Sequence, residues 1–346
     1  MLHRRANRSL RLGIALGTIW CSIAPAAENG PAAPAVWRFE FDNDLIFNTD
    51  DQLSAGWSIQ RHSPAAADWS SVHAPRWLAG LGERIPGLNR TDHVKRVGIG
   101  IGQVIQTPED LERESYIPDD VPYAASLGVF FSWAAISPKH IAGCQLYLGT
   151  IGEPALAEEM QRTVHSIFSG DDPQGWDNQI GFEPVVNLTY GSWWRLADAG
   201  DNTGLGADVA SGGFVSVGNF ATMLDAVAQS RIGWNLPRGF AHIPDPGGFG
   251  VAEVPRIGPA EDFAAFLTLA CRARAIAYSV FFDGSLFDSD EPKAPDREPG
   301  TLQAIVGAHL VYHTYAARAH LVFSTSPFHS AASSRSWGAL TLETSF

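Results

Sequence analysis

The chain has 346 residues, a length that allows one large domain or two ordinary ones. Its formal net charge of −13 argues against nucleic acid as a partner. With 34 glycines and 11 tryptophans but only three lysines, it is more typical of membrane strands with aromatic girdles than of a water-soluble enzyme.

The amino terminus has the features of a secretory signal peptide. Four arginines precede an apolar run, and the small residues Ala24-Pro25-Ala26 follow it. We predict cleavage after Ala26 or Ala27, so that residues 1–26 are a signal peptide and residues 27–346 form a single exported domain. Loss of four arginines and no acid would take the net charge from −13 to −17. The alternative, an amino-terminal membrane anchor, would need a longer apolar run.

Cys144 and Cys271 are the cysteines of the predicted mature chain. In an oxidising compartment they could pair, but nothing in the sequence shows that they meet. Both lie in strand-like segments, where two separate buried or lipid-facing thiols are the commoner arrangement.

Alternating strand patterns begin directly after the predicted signal. In residues 36–42, Trp37, Phe39 and Phe41 share one face and charged residues occupy the other. Residues 64–94 are rich in Pro, Ala, Trp and Asp and indicate a long excursion with a short helix near residues 77–81. Beyond the amino terminus, no run reaches the roughly 18 apolar residues that a membrane helix needs.

Glycine alternates with apolar residues in the third predicted strand. Val97, Ile99 and Ile101 would face lipid, and the glycines between them would face the lumen of a barrel. Such a track makes room for something packed against the inner wall, although glycines that merely permit bending would leave the same pattern. The Pro- and Gly-rich residues 237–259 predict a surface loop.

The remaining strand patterns extend to the carboxyl terminus, where the alternating residues 337–346 end on Phe346. The whole sequence gives roughly ten to twelve strands. We therefore predict an all-β fold, a transmembrane antiparallel β-barrel of about 12 strands with a short helix packed against its inner wall.

The predicted helix lies in residues 154–168. An apolar stripe recurs along it at helical spacing, formed by Leu156, Met160, Val164 and Ile167. Gln161 and His165 are four residues apart and share an adjacent face. Gly170 would end the helix and bring Asp171 and Asp172 back beside its last turn.

Polar residues suited to chemistry occur at two distant places in the chain. One group flanks the first predicted hairpin (Asn43, Asp44, Ser54) and the other surrounds the helix (Gln161, His165, Asp171, Asp172). Their oxygen donors suit a hard cation such as calcium, and the lack of Cys ligands argues against structural zinc. A histidine beside calcium could take a proton from water while the cation holds the oxyanion of an ester under attack.

These residues also have structural interpretations. Asn43 and Asp44 could start a turn, the two helix-end aspartates could be a solvated terminus, and His165 could satisfy a core contact. Ser166 points away from His165 on a helix and lacks a G-x-S-x-G turn, so a serine hydrolase is poorly supported.

Three blocks of the sequence resemble the signature regions of the outer-membrane lipid A 3′-O-deacylase family. They are FDNDLIFNTDDQLSAGW, TPEDLERESYIPDDVPYA and QRTVHSIFSGDDPQGWDNQIGFEP, in this order over most of the predicted mature chain. The resemblance implies a barrel of about twelve strands in the Gram-negative outer membrane, with a helix against its inner wall. It also implies a calcium-dependent carboxylic ester hydrolase that removes the 3′-linked acyloxyacyl chain from the lipid A of lipopolysaccharide in the outer leaflet.

The resemblance also suggests roles for single residues in catalysis and substrate binding. His165 resembles the family's general base, and Gln161 its neighbour one turn earlier. Asn43 matches an amide at the end of the first strand, and Arg113 stands where a substrate-binding lysine is expected.

The metal ligands implied by the resemblance are acidic and hydroxyl side chains. Asp44 matches a carboxylate after the first strand, and Ser54 falls where a threonine hydroxyl is common. Asp171 or its neighbour Asp172 falls where a calcium-binding glutamate is expected. The sequence departs from the family's pattern at residues 53–55 and at Val121, which touch substrate or hairpin contacts more than the proposed base.

Two other functions are compatible with such a barrel. One is an outer-membrane phospholipase, and the other is a passive structural or pore-forming barrel in which the helix would be a plug. The sequence indicates neither the preferred acyl chain nor the oligomeric state.

Overall fold

A computed structural model of the chain describes residues 33–44, 55–168, 173–200, 204–237, 239–240, 242–251, 263–287, 293–328 and 335–346, without the side chains of residues 164–168 and 335. All described residues belong to one compact unit, Ala32–Phe346. The predicted signal peptide therefore lies outside the described residues.

The described residues form a closed barrel of twelve antiparallel strands, which confirms the predicted fold class. Each strand pairs with its neighbours in sequence, and β1 closes the barrel on β12, from Val36↔Ser345 to Asn43↔Gly338. The strands are β1 Val36–Asn43, β2 Ala55–His62, β3 Val94–Gln106, β4 Ala124–Ile136, β5 His140–Ile151, β6 Glu183–Gly200, β7 Leu205–Gly218, β8 Ala221–Trp234, β9 Phe263–Ser279, β10 Gly300–Tyr312, β11 Tyr315–Ser324 and β12 Arg335–Ser345.

Three α-helices accompany the strands in the described ranges: α1 Arg76–Gly82, α2 Ala157–Phe168 and α3 Val280–Asp283. Short 3-10 turns occur at Trp69–Ser71, Glu153–Ala155, Gly175–Asn178 and Pro246–Gly248. Helix α1 confirms the short helix predicted near residues 77–81. Within the part of the chain that the structure describes, no helix is long and apolar enough to cross a bilayer.

Strand alternation separates a lipid-facing surface from a polar lumen. Trp37, Phe39 and Phe41 are exposed on the outside of β1, whereas the charged residues between them are buried inside. In the lumen, Glu343 accepts hydrogen bonds from Arg38 Nη2 at 2.7 Å and from Arg318 Nη2 at 2.9 Å. The predicted outward position of the aromatic side chains is thus confirmed.

The two rims of the barrel differ in the lengths of their connections. The rim that holds the start of β1 and the end of β12 has three short links, at residues 137–139, 201–204 and 313–314, and two long ones, at 63–93 and 235–262. The opposite rim has one short link, at 219–220, and its other five links have ten or more residues. Outer-membrane barrels keep short turns on the periplasmic side and longer loops outside. The rim with three short links is therefore periplasmic, and the opposite rim, with the links at 107–123 and 152–182, is extracellular.

An inner loop fills part of the lumen. We give this name to residues 237–251, of which residues 238 and 241 are not described. The Gly247 amide donates to Asp42 Oδ2 at 2.8 Å, and Gln145 Nε2 donates to the Gly248 carbonyl at 3.0 Å. Strands β1 and β5 can be reached together only from inside the barrel. The prediction of a surface loop is therefore wrong for this part of the chain.

The glycine track of β3 does make room for another segment. A Cβ atom at Gly102 would lie 2.5 Å from the Gly247 carbonyl oxygen, so the inner loop requires a glycine at this position. Its neighbour Gly100 lies under the ring of Phe130 instead. The prediction of a packed inner wall is confirmed here, with the inner loop rather than helix α2 in contact with Gly102.

The two cysteines do not form a disulfide. Cys144 is buried and Cys271 is exposed, and both are free thiols. The structure thus supports the interpretation as two separate side chains.

Candidate active site

Helix α2 begins over the outer face of the barrel wall. Gln103 Nε2 donates to the Ala155 carbonyl at 2.6 Å, and Ala155 and Ala157 pack with Ile105 and Ala125. Positions 103 and 105 of β3 alternate in step with the lipid-facing Ile99. The contacts described for the start of α2 therefore correct the predicted inner-wall position: this part of the helix lies outside, at the extracellular rim.

The buried face of α2 is not the predicted apolar stripe. Ala157 and Gln161 are buried, whereas Leu156 and Met160 are 46% and 37% exposed. Outside a barrel wall the surrounding solvent is lipid, so apolar side chains can point away from the protein. On the buried face, Gln161 is polar and Ala157 is apolar, whereas the polar residues Glu159, Arg162 and Thr163 are exposed. The side chains of Val164 and Ile167 are not described.

A neighbouring turn fixes the orientation of the Gln161 amide. Trp176, in the 3-10 turn Gly175–Asn178, donates from Nε1 to Gln161 Oε1 at 3.1 Å and packs against Tyr123 with ring centroids 4.8 Å apart. Because an indole can only donate, the oxygen of Gln161 must face Trp176. Gln161 Nε2 is then a buried donor with no hydrogen-bond partner among the described residues. Such a donor can form a hydrogen bond to an oxygen of a water molecule or of a substrate.

Asn43 and Asp44 lie at the extracellular end of β1, and both are buried. Asp42 bonds to the inner loop in the lumen, so strand alternation places Asn43 on the outer face, the same side of the wall as α2. Asp44 lines a cavity of about 220 Å³ in the lumen, together with Gln106, Phe281 and Trp337.

Arg113 lies in the link between β3 and β4, where its side chain is exposed and its Nε donates to Ser115 Oγ at 3.1 Å. This link is tied to the turn that carries Trp176. Asn178 Nδ2 donates to the Glu114 carbonyl at 2.6 Å, and the Gln174 amide donates to the Leu111 carbonyl at 2.9 Å. Arg113 and Gln161 therefore belong to neighbouring parts of the extracellular rim, without a direct contact.

The other candidates are only partly described. Position 165 lies in α2, one turn after Gln161, but the His165 side chain is not described, and Ser54, Asp171 and Asp172 lie outside the described residues. Among the residues that are described, no group of three or more His, Cys, Asp or Glu side chains is arranged to hold a metal ion. The calcium site proposed from sequence thus stays a prediction.

Two residues of this region were missed by the sequence analysis. Trp176 orients Gln161 from 15 positions further along the chain, and Gln103 holds the start of α2 from β3. Neither contact follows from helical or strand periodicity. A polar residue on the lipid-facing side of β3 was the available signal for Gln103, since such positions are normally apolar.

Comparison with known proteins identifies the family and the fold. The family model described as "Outer membrane protein LpxR" matches residues 12–346. Among solved structures, LpxR from Salmonella typhimurium superposes with a TM-score of 0.72 at 15% sequence identity, over 90% of this chain and 100% of that chain. The beta domain of the Bordetella autotransporter BrkA gives 0.43 at 10% identity, over 91% and 100% of the two chains. No curated protein sequence matches.

Proposed function

Because the chain belongs to the LpxR family of outer membrane proteins, we propose that it is an enzyme that modifies the lipid A of lipopolysaccharide. More specifically, we propose a carboxylic ester hydrolase that removes the 3′-linked acyloxyacyl chain in the presence of calcium. The observation that carries this proposal is the buried, oriented Gln161 amide on the outer face of the wall. A polar site that opens toward lipid is what hydrolysis of a lipid ester requires.

The proposed base is His165, one helical turn after Gln161. His165 would accept a proton from water, the water oxygen would bond to the acyl carbon, and the ester C–O bond would break. The proton would then pass from His165 to the leaving sugar oxygen, which completes the hydrolysis. Gln161 Nε2, and the amide of Asn43 at the end of β1, would donate hydrogen bonds to oxygens of the ester or the water.

The residues near the end of β1 suit a hard cation. Asp44 offers a carboxylate that is 2% exposed at the extracellular end of β1. With Ser54, Asp171 and Asp172 it would form an all-oxygen ligand set, which calcium prefers. When bound, the cation would supply positive charge to stabilise the oxyanion.

The contents of the lumen argue against an open pore. The inner loop and the ion pair of Glu343 with Arg38 and Arg318 occupy the interior in the described part of the chain. A phospholipase would have the same features, since phospholipids and lipid A are both lipid esters.

The test is a digest of two purified lipids by the full chain in detergent with calcium. We expect mass spectrometry to show the loss of one acyloxyacyl group from lipid A, while phosphatidylethanolamine stays intact. Fatty acid released from the phospholipid, with lipid A unchanged, would assign a phospholipase instead. Both lipids unchanged, with the barrel folded, would contradict an esterase of either kind.

A further inference from the structure

The link between β2 and β3 packs on the outside of the barrel. We call residues 63–93 the outer segment. Its side chains Trp69, Leu78 and Leu88 are buried against Val97 and Trp133 of the wall. Position 97 alternates in step with the lipid-facing Ile99, so the covered surface is the outer face of the strands, near the periplasmic rim.

Hydrogen bonds fasten the outer segment to the wall. Trp133 Nε1 donates to the Leu78 carbonyl at 2.7 Å, from the strand to the helix. At the end of the segment, a chain of hydrogen bonds runs from Asp92 through His93 and His140 to Ser192. Its three distances are 2.8 Å, 2.7 Å and 2.8 Å, and it joins the segment to β5 and β6. The outer segment is therefore held against the barrel wall by hydrogen bonds as well as by apolar packing.

Helix α1 also exposes an apolar face away from the wall. Trp77 is 61% exposed and Leu81 is 37% exposed, and their spacing of four residues places them on one side of the helix. The Trp77 ring packs edge-on against Phe131, with centroids 5.9 Å apart. Phe131 shares the outer face of β4 with the exposed Val129. The apolar face of α1 is thus continuous with the lipid-facing surface of the barrel.

We propose that α1 is an interfacial element whose Trp77 and Leu81 insert into the phospholipids of the inner leaflet of the outer membrane. Tryptophan favours the boundary between headgroups and acyl chains, and a short amphipathic helix can lie in that plane. The outer segment carries three arginines and three acidic residues, so it has no formal net charge. Insertion is therefore driven by apolar burial, and it does not require anionic lipid.

Insertion of α1 would set how deeply β3 and β4, the strands beside the candidate site, lie in the membrane. Strands β3 and β4 carry the start of α2 at their extracellular ends and the outer segment nearer their periplasmic ends. An anchor at one end of these strands fixes how deeply the other end lies in the opposite leaflet. The inference does not depend on the reaction proposed above.

The experiment uses the full chain in phosphatidylethanolamine and phosphatidylcholine vesicles, with Cys271→Ser to remove the exposed thiol. A nitroxide is attached at Leu81→Cys, at Glu83→Cys as the matched control on the same helix end, and at the lipid-facing Leu267→Cys as the membrane reference. Power-saturation EPR compares collisions with oxygen, which concentrates in lipid, and with a water-soluble nickel chelate.

We expect the label at position 81 to resemble that at 267 and the label at 83 to contact water. Addition of phosphatidylglycerol should leave the depth of position 81 unchanged. A label at 81 that is as accessible to the nickel chelate as that at 83 would overturn the proposal, and would leave the apolar face to a periplasmic protein. If the label at position 81 enters the membrane only when anionic lipid is present, apolar burial does not drive the insertion and the proposal is overturned.

Discussion

At the scale of single residues, Gln161 is the best-defined part of the candidate site. Its pairing with position 165 could be predicted because residues four apart share a helix face. Its orientation could not, since the indole of Trp176 arrives from a separate turn. The sequence therefore predicts the face of α2 that carries Gln161 but not the contact that directs its amide.

Replacement of Gln161 by glutamate tests the role of its amide. Gln161→Glu keeps an oxygen for Trp176 and removes the Nε2 donor. We expect the rate of lipid A deacylation to fall roughly 5- to 160-fold, because the loss of a buried hydrogen bond to a reacting group costs about 1–3 kcal/mol. Trp176→Phe keeps Nε2 and should cost less. Full activity in Gln161→Glu would show that the donor has no role.

Asp44 allows a test of metal binding that does not need catalysis. A ligand that binds only the folded state, at 100 times its dissociation constant, stabilises it by about 2.7 kcal/mol. We expect calcium to raise the thermal midpoint of the wild-type chain and chelation to reverse the rise. In Asp44→Asn the rise should be largely lost, whereas Asp119→Asn, at an exposed site in the 107–123 link, should retain it. An equal rise in both variants would exclude Asp44 as a ligand.

At the scale of elements, periodicity predicted the strands well and the packing of the added segments poorly. The alternation in β1 and β12 separates lipid-facing from lumenal positions, so the wall follows from local pattern. The inner loop and the outer segment have no such pattern, because their contacts are set by tertiary packing. Helix α2 was placed on the wrong side of the wall since an apolar stripe looks the same whether it faces protein or lipid.

Gly102 is the element-scale position where the wall and the inner loop meet. In Gly102→Ala the new Cβ would clash with the Gly247 carbonyl, and overpacking of this kind costs about 1–3 kcal/mol. We expect a lower thermal midpoint, measured by circular dichroism in detergent. Gly80→Ala, in helix α1, has open space at its Cβ and should be neutral or slightly stabilising. A midpoint of Gly102→Ala equal to that of the wild type would mean that the inner loop does not press on β3.

The hydrogen-bonded end of the outer segment should respond to pH. His93 is 2% exposed, and burial lowers its pKa although the neighbouring Asp92 acts to raise it. A depressed folded-state pKa means that stability is present above the unfolded value of about 6.5 and falls as the pH drops below it. We expect acidification from about pH 7.5 to about pH 5.5 to reduce the hydrogen-exchange protection of residues 63–93, corrected for intrinsic rates.

His93→Gln is the control for this response. Its amide cannot take up a proton in this range, so the loss of protection on acidification should be much smaller. An unchanged response in His93→Gln would assign it to another group, such as the neighbouring His140.

At the scale of the whole molecule, the chain is a twelve-stranded outer-membrane barrel, and two of its additions, the start of α2 and the outer segment, lie on the outer face of β3 and β4. The sequence predicted the barrel, its strand number and its family. It did not predict that β3 and β4 support a helix on their outer face at one rim and a second apolar segment near the other. Together, these two additions cover part of the outer face of β3 and β4, which would otherwise face lipid.

We propose that this side of the barrel hydrolyses lipid A with His165 as the base. The most direct measurement is the mass of purified lipid A after incubation, with calcium, with the wild-type chain, His165→Ala and Arg162→Ala, a control on the exposed face of α2. We expect loss of the 3′-linked acyloxyacyl group with the wild type and Arg162→Ala, and an unchanged mass with folded His165→Ala. Full conversion by His165→Ala would contradict the proposal.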